Sequence, residues 1–157
     1  MTARSNVDGS TTGERSRSWP FWDSVEGGIP LPPAAATLGF EVLGADPDDG
    51  TIEVAFSATE AFTTPRGDVL EGFLAAMLHD TVGPALLATL GPGRFISTLS
   101  LDSAFLRPAF PGRLVGRGRV VHRDGDIAFL EGSLTSSDGA VVATASATAR
   151  VIEFPAS

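Results

Sequence analysis

His79 and Asp80 stand side by side in a stretch, Phe73 to Leu90, that holds no other ionisable residue. A titratable side chain is costly to bury unless it is paired or put to use. An imidazole, with an ordinary pKa near 6.5, can take up and return a proton at neutral pH. A carboxylate can serve as base, nucleophile or orienting partner. Proton transfer is therefore the chemistry the pair suggests. Structural readings stand beside it: a histidine hydrogen-bonded across a subunit interface, and an aspartate held by a loop or a partner chain. Neighbours on a helix point about 100° apart, so the two are not expected to act as one dyad at a single carbonyl. His122, set among arginines, reads as a surface residue.

The element that must position this pair is a helix. Phe73 to Leu90 is apolar enough for about four turns. Pro65, Gly67 and Asp68 form the turn before it, Glu71-Gly72 opens it, and Gly91-Pro92-Gly93 stops it. Gly83-Pro84 is expected to interrupt it, and a membrane span would need about 20 apolar residues. Gly72, Ala75, Ala76, His79, Val82 and Gly83 fall on one face, a stripe of mostly small residues with room for a ligand or a partner helix.

Strands account for most of the rest. Leu38 to Ala45 and Thr51 to Ser57 flank the turn Asp46 to Gly50. Arg94 to Leu106, Arg113 to Arg123, Asp126 to Thr135 and Ala140 to Phe154 come after the helix, with Asp124-Gly125 and Asp138-Gly139 as hairpin signals. In the first of these, Phe95, Leu99, Leu101 and Phe105 share one parity. In the last, Val141, Ala143, Ala145, Ala147, Ala149 and Val151 form a row of small residues suited to a close helix. A short helical turn is expected where Pro32-Pro33 lead into Ala34–Ala36. One long helix followed by a four-strand antiparallel meander is an α+β arrangement with the sheet wrapped around the helix.

The chain has 157 residues, a formal charge of -8 and no cysteine. That length suits one domain. The acidity argues against nucleic acid and anionic membrane surfaces as partners. The lack of cysteine excludes thiolate metal sites and fits a cytoplasmic setting. Met1 to Ser18 lacks an apolar core for a signal peptide and reads as a disordered tail. Residues 19–157 form the domain, with Trp19, Phe21 and Trp22 pinning its start.

Several features together resemble the PaaI-like hotdog thioesterases. These are the element order, the glycine-containing loop into an AAML helix, the phrase FLRPAFPG, and the ending DGAVVATASATARV. The resemblance spans about Leu31 to Phe154. It implies a hotdog fold of about six antiparallel strands around the long helix. It also implies a homodimer or homotetramer, and hydrolysis of a small or medium, including aromatic, acyl-CoA bound between subunits. No cofactor beyond the CoA of the substrate and no metal is implied.

The family's loop pattern resembles N-P-x-G-x-x-x-G-G, and this chain reads Thr64-Pro65-Arg66-Gly67-Asp68-Val69-Leu70-Glu71-Gly72. Thr64 thus takes the place of an orienting Asn, and Glu71 that of the first paired glycine. Gly72 supplies the backbone N–H that polarises the thioester carbonyl. The catalytic acid falls on His79, while a register shifted by one places it on Asp80. Arg107, Arg117 and Arg119 stand either as contacts to CoA phosphates or as solvated strand faces. Two alternatives share the fold: a hydratase or dehydratase, and a non-hydrolytic acyl-CoA or ligand-binding protein.

Overall fold

The computed structural model of the chain describes residues 20–155. The tail expected over Met1 to Ser18, its boundary with the domain, and Trp19 lie outside them. In order come α1 (Pro20–Val25), α2 (Pro33–Thr37), β1 (Glu41–Asp46), β2 (Thr51–Ala58), a 3-10 turn (Glu60–Phe62), α3 (Glu71–Leu87), β3 (Arg94–Phe105), β4 (Gly112–Asp124), β5 (Ile127–Thr135) and β6 (Val141–Glu153). The six strands form one sheet in the order β1-β2-β4-β5-β6-β3, each neighbouring pair antiparallel. α3 packs against β2 to β6, so the sheet curves around it. This is the expected α+β hotdog arrangement.

The four-strand meander is corrected to three. β3 does not lie beside β4; it pairs with β6, Ser103 opposite Ala145, and β2 takes the place beside β4. Pro108 and Pro111 have no N–H for a ladder, and the chain leaves β3 through them rather than turning back as a hairpin. β1 starts at Glu41, not Leu38, because buried Leu38 closes α2 by donating its N–H to the Ala34 carbonyl.

Pro84 does not break α3, contrary to the sequence expectation. A proline removes one helical hydrogen bond and crowds the carbonyl four residues back. Packing outweighs this, as it does for most helices in proteins. Leu74, Met77 and Leu78 before the proline, and Ala85 and Leu86 after it, are buried to 2 % exposure or less. Val82 and Gly83 are buried too, so the open part of the small-residue stripe runs only over Gly72, Ala76 and His79.

The closest seat of α3 is made by glycines of β4 and β5. A Cβ on Gly118 would meet the Thr81 carbonyl oxygen at 2.7 Å, and one on Gly132 would meet Val82 Cγ1 at 2.7 Å. One on Gly116 would collide with the Thr81 hydroxyl. Thr81 is wholly buried and donates that hydroxyl to the Met77 carbonyl at 2.8 Å. The alanine row of β6 is buried as expected from Ala143 to Val151, but a register shift beside Thr135 leaves Val141 exposed. At the other end of α3, Trp22 of α1 is buried among Val82, Leu86 and Leu90.

Candidate active site

Strand β3 carries an extra residue. Thr98 pairs with Ala149 and Ser100 with Thr148, so Leu99 bulges out of the ladder and is 49 % exposed. A bulge reverses the parity of the strand residues beyond it. Opposite the buried residues of β6 lie Ile96 and Thr98 before the bulge, and Leu101, Ser103 and Phe105 after it. This corrects the single parity expected for Phe95, Leu99, Leu101 and Phe105. It also turns Thr98 toward α3, where its Oγ1 lies 3.1 Å from His79 Nε2. Thr98 is not legible in the sequence because only the bulge brings it inward, and alternation gives no sign of a bulge.

His79 Nδ1 lies 3.6 Å from Asp80 Oδ1, with the two side chains 50 % and 27 % exposed. The expectation that neighbouring helix residues stay apart is corrected. Their Cβ atoms diverge, but the side chains swing back toward each other. At 3.6 Å the contact is an ion pair rather than a formed hydrogen bond. The Asp80 carboxylate facing the ring N–H raises the His79 pKa above its usual value, against partial burial, which lowers it. A raised histidine pKa stabilises the fold fully below about pH 6.5, and that share is lost as pH rises through the higher folded value.

The pair borders an apolar cavity of about 380 Å³. α1 contributes Phe21, Ser24 and Val25, the segment after it Ile29 to Pro32, α3 Gly83, Pro84 and Leu87, and β3 Phe95 and Ile96. Among the described residues, His79 and Asp80 are its only ionisable lining residues. A neutral imidazole that holds one nitrogen toward a carboxylate and the other toward a hydroxyl, beside an apolar void, is set up to accept a proton from water.

The other positions divide between the helix start and the far face of the sheet. Thr64 donates its hydroxyl to Asp68 and caps the loop, since the Arg66 N–H donates to Thr64 Oγ1 at 3.2 Å and the Thr64 N–H to the Asp68 carbonyl at 2.8 Å. Its side chain is thus engaged within the loop. Asp68 is 8 % exposed, so its hydrogen-bond partners act on its charge against desolvation. The Thr64 hydroxyl first, then backbone and the Arg66 guanidinium, lower its pKa against a smaller desolvation effect. That stabilisation is present above the ordinary aspartate pKa and lost as pH falls through the folded value. Thr64→Val is expected to bring the Asp68 pKa back up toward about 3.9, measurable by carboxyl NMR titration; an unmoved pKa would show that the hydroxyl does not hold it.

Leu70 caps α3 without a side-chain bond, and among the described residues the Glu71 and Gly72 N–H groups have no hydrogen-bond acceptor. Such orphan donors carry partial positive charge. Arg107 joins Arg66, Asp68 and Glu71 around a cavity of about 190 Å³ beside this helix start. Arg117 and Arg119 do not join it. Their neighbours Gly116 and Gly118 face α3, so alternation turns both arginines to the opposite face. There Arg117 pairs with Glu53 at 3.0 Å and Arg119 with Glu131 at 2.7 Å.

A hotdog domain with a titratable pair on its central helix and an apolar cavity beside it defines the class. The thioesterase superfamily model matches residues 67–143. A phenylacetic acid degradation-related protein of Ralstonia eutropha JMP134 is 42 % identical, with 83 % of this chain and 98 % of that one covered at a TM-score of 0.79. The chain belongs to the thioesterase superfamily. The same fold occurs in a thioesterase of Haemophilus influenzae, with a TM-score of 0.76 at 17 % identity over 90 % of this chain and 96 % of that one. It occurs also in the PaaI protein of the Escherichia coli phenylacetic acid degradation operon, with a TM-score of 0.74 at 18 % identity over 85 % and 94 %. No functionally curated protein matches the chain in sequence. Among the described residues, no helix is long and apolar enough to cross a membrane.

Proposed function

We propose that the protein hydrolyses acyl-CoA thioesters, with His79 as the general base. The observation that carries this is His79 itself, between Asp80 and Thr98 at the edge of an apolar cavity. In this reaction the Thr98 hydroxyl passes its proton to Nε2 and takes one from water as the water oxygen attacks the thioester carbonyl carbon. Asp80 holds the imidazolium that forms, and Thr98 orients the ring. The tetrahedral intermediate then collapses, the C–S bond breaks, and the imidazolium returns the proton to the departing CoA thiolate. Backbone N–H groups at the start of α3, Gly72 foremost, stabilise the oxyanion. We assign Arg107, beside that start, to the CoA phosphates.

One helix cannot supply both parts to one carbonyl. His79 lies seven positions beyond Gly72, about 10 Å along the axis, and first-turn N–H groups point away from the helix body. A reacting carbonyl must lie about 3 Å from each group. The base of one copy and the N–H of another therefore meet at one thioester, which makes the active unit at least a dimer. The open Gly72–Ala76–His79 face and the unpaired edge of β3 leave surfaces for this. Light scattering at micromolar concentration is expected to give a dimer or tetramer mass; a strict monomer with full turnover would sink the shared-site reading. Turnover of a panel of short, medium and aromatic acyl-CoAs tests the function, and binding without turnover would favour a ligand-binding protein.

A further inference from the structure

We infer that residues 20–32 form the specificity wall of the cavity beside His79, and that the cavity selects medium-length acyl chains. The inference rests on the thioester-hydrolase reading and deepens it. One side of the cavity is α3 and β3, which the hotdog core fixes; the other is Phe21, Val25, Ile29 and Leu31 from the N-terminal segment.

That segment is built as one stiff unit. Trp22 is buried in the core at 7 % exposure, while Phe21, edge-on to it with ring centroids 5.2 Å apart, lines the cavity. The Gly28 and Ile29 N–H groups both donate to the Asp23 carbonyl, at 2.7 and 3.3 Å, which folds the strap back on α1. Gly27 makes this turn at φ 80°, a left-handed conformation that favours glycine. Pro30 and Pro32 then restrict the strap's backbone, so the wall has a defined distance from α3.

Size sets the substrate class. At roughly 30 Å³ for a water-sized group, a cavity of about 380 Å³ holds on the order of a dozen methylene-sized groups. An acyl chain of about eight to ten carbons fills such a space, allowing for imperfect packing. A shorter chain leaves part of the apolar lining uncovered, and a longer one projects beyond it through the open side. Apart from His79 and Asp80 the described lining residues are uncharged, so the chain that fills the cavity is uncharged as well.

The test compares the full-length protein with Phe21→Ala, which opens the wall, and Ile29→Trp, which fills the cavity from a residue 43 % exposed. The exposed site keeps the test alive where Phe21→Ala fails to fold. The wild-type kcat/KM is expected to peak near eight to ten carbons in a series from acetyl- to palmitoyl-CoA. Phe21→Ala is expected to raise the long-to-medium ratio about tenfold, and Ile29→Trp to favour shorter chains similarly, since one methylene in a pocket is worth about tenfold or more. Ratios unchanged in both folded variants would overturn the wall. If no acyl-CoA is turned over, the hydrolase reading falls by itself. The wall is then judged from Kd values of non-hydrolysable S-alkyl-CoA thioethers, whose length dependence must move with the same two substitutions. A length dependence that stays flat or fixed overturns it.

Discussion

His79→Ala is expected to lower kcat/KM for acyl-CoA hydrolysis by about 100- to 10,000-fold, the usual contribution of a positioned general base. The side chain is half exposed, so its loss leaves the protomer fold intact, which a melting curve would verify, while light scattering separates loss of the base from loss of the assembly. The pH–rate profile carries the sharper test. A general base works only when unprotonated, and Asp80 raises the His79 pKa. Wild-type activity is therefore expected to climb with pH through a value above about 6.5. Asp80→Asn removes the counter-charge and should move that limb down toward the ordinary histidine value while turnover falls. His79→Asp restores the carboxylate that the family pattern implies at this place, and should keep activity with a limb in the carboxylate range. The opposite pattern identifies Asp80 as the base: activity lost in Asp80→Asn and nearly kept in His79→Ala. Full activity in both single variants would make the pair structural and end the hydrolase mechanism in this form.

The parts of the molecule legible in sequence are those that local periodicity determines. The alanine row of β6 and the Asp-Gly hairpins at 124–125 and 138–139 fix strands and turns through short-range sterics, and they stand in the structure. The apolar run from Phe73 marks the central helix and its titratable pair. The passage of that helix through Pro84 is hidden because tertiary burial, not propensity, holds the second half. The partner of β3 is hidden for a similar reason. β3 joins β6, 42 positions on at Ser103 and Ala145 in register, and nothing local to either strand names the other. The site is the least legible, since Thr98 depends on a bulge and the cavity wall on how α1 docks. Both are products of long-range packing. The register that places His79 comes from Pro65, Gly67 and Gly72, of which Gly67 holds a positive φ that its turn requires.

Gly118→Ala is expected to destabilise the domain by about 1–3 kcal/mol or more, the usual cost of overfilling a packed interface. For a domain of this size that corresponds to a fall in Tm of about 2–4 °C per kcal/mol. The added Cβ meets the Thr81 carbonyl oxygen at 2.7 Å and its carbonyl carbon at 3.2 Å. Both are helix backbone, and no rotamer change can relieve them. Either α3 lifts off β4 or the sheet bends. Gly116→Ala differs in kind, because its Cβ collides chiefly with the Thr81 side chain, with Val54 Cγ2 next at 2.9 Å. A double-mutant cycle separates the two cases. Thr81→Ala should recover part of the stability lost in Gly116→Ala and little of that lost in Gly118→Ala. Gly72→Ala is the control within the same helix, since nothing lies within 4 Å of its Cβ, and replacing a helical glycine by alanine is worth about 0.5–1 kcal/mol of added stability. Lifting α3 also moves His79 away from Thr98, so Gly118→Ala should lose hydrolysis out of proportion to its fraction unfolded. An unchanged Tm in Gly118→Ala would mean that the helix does not sit as close to β4 as these contacts place it, and the seat that aims His79 at Thr98 would have to lie elsewhere.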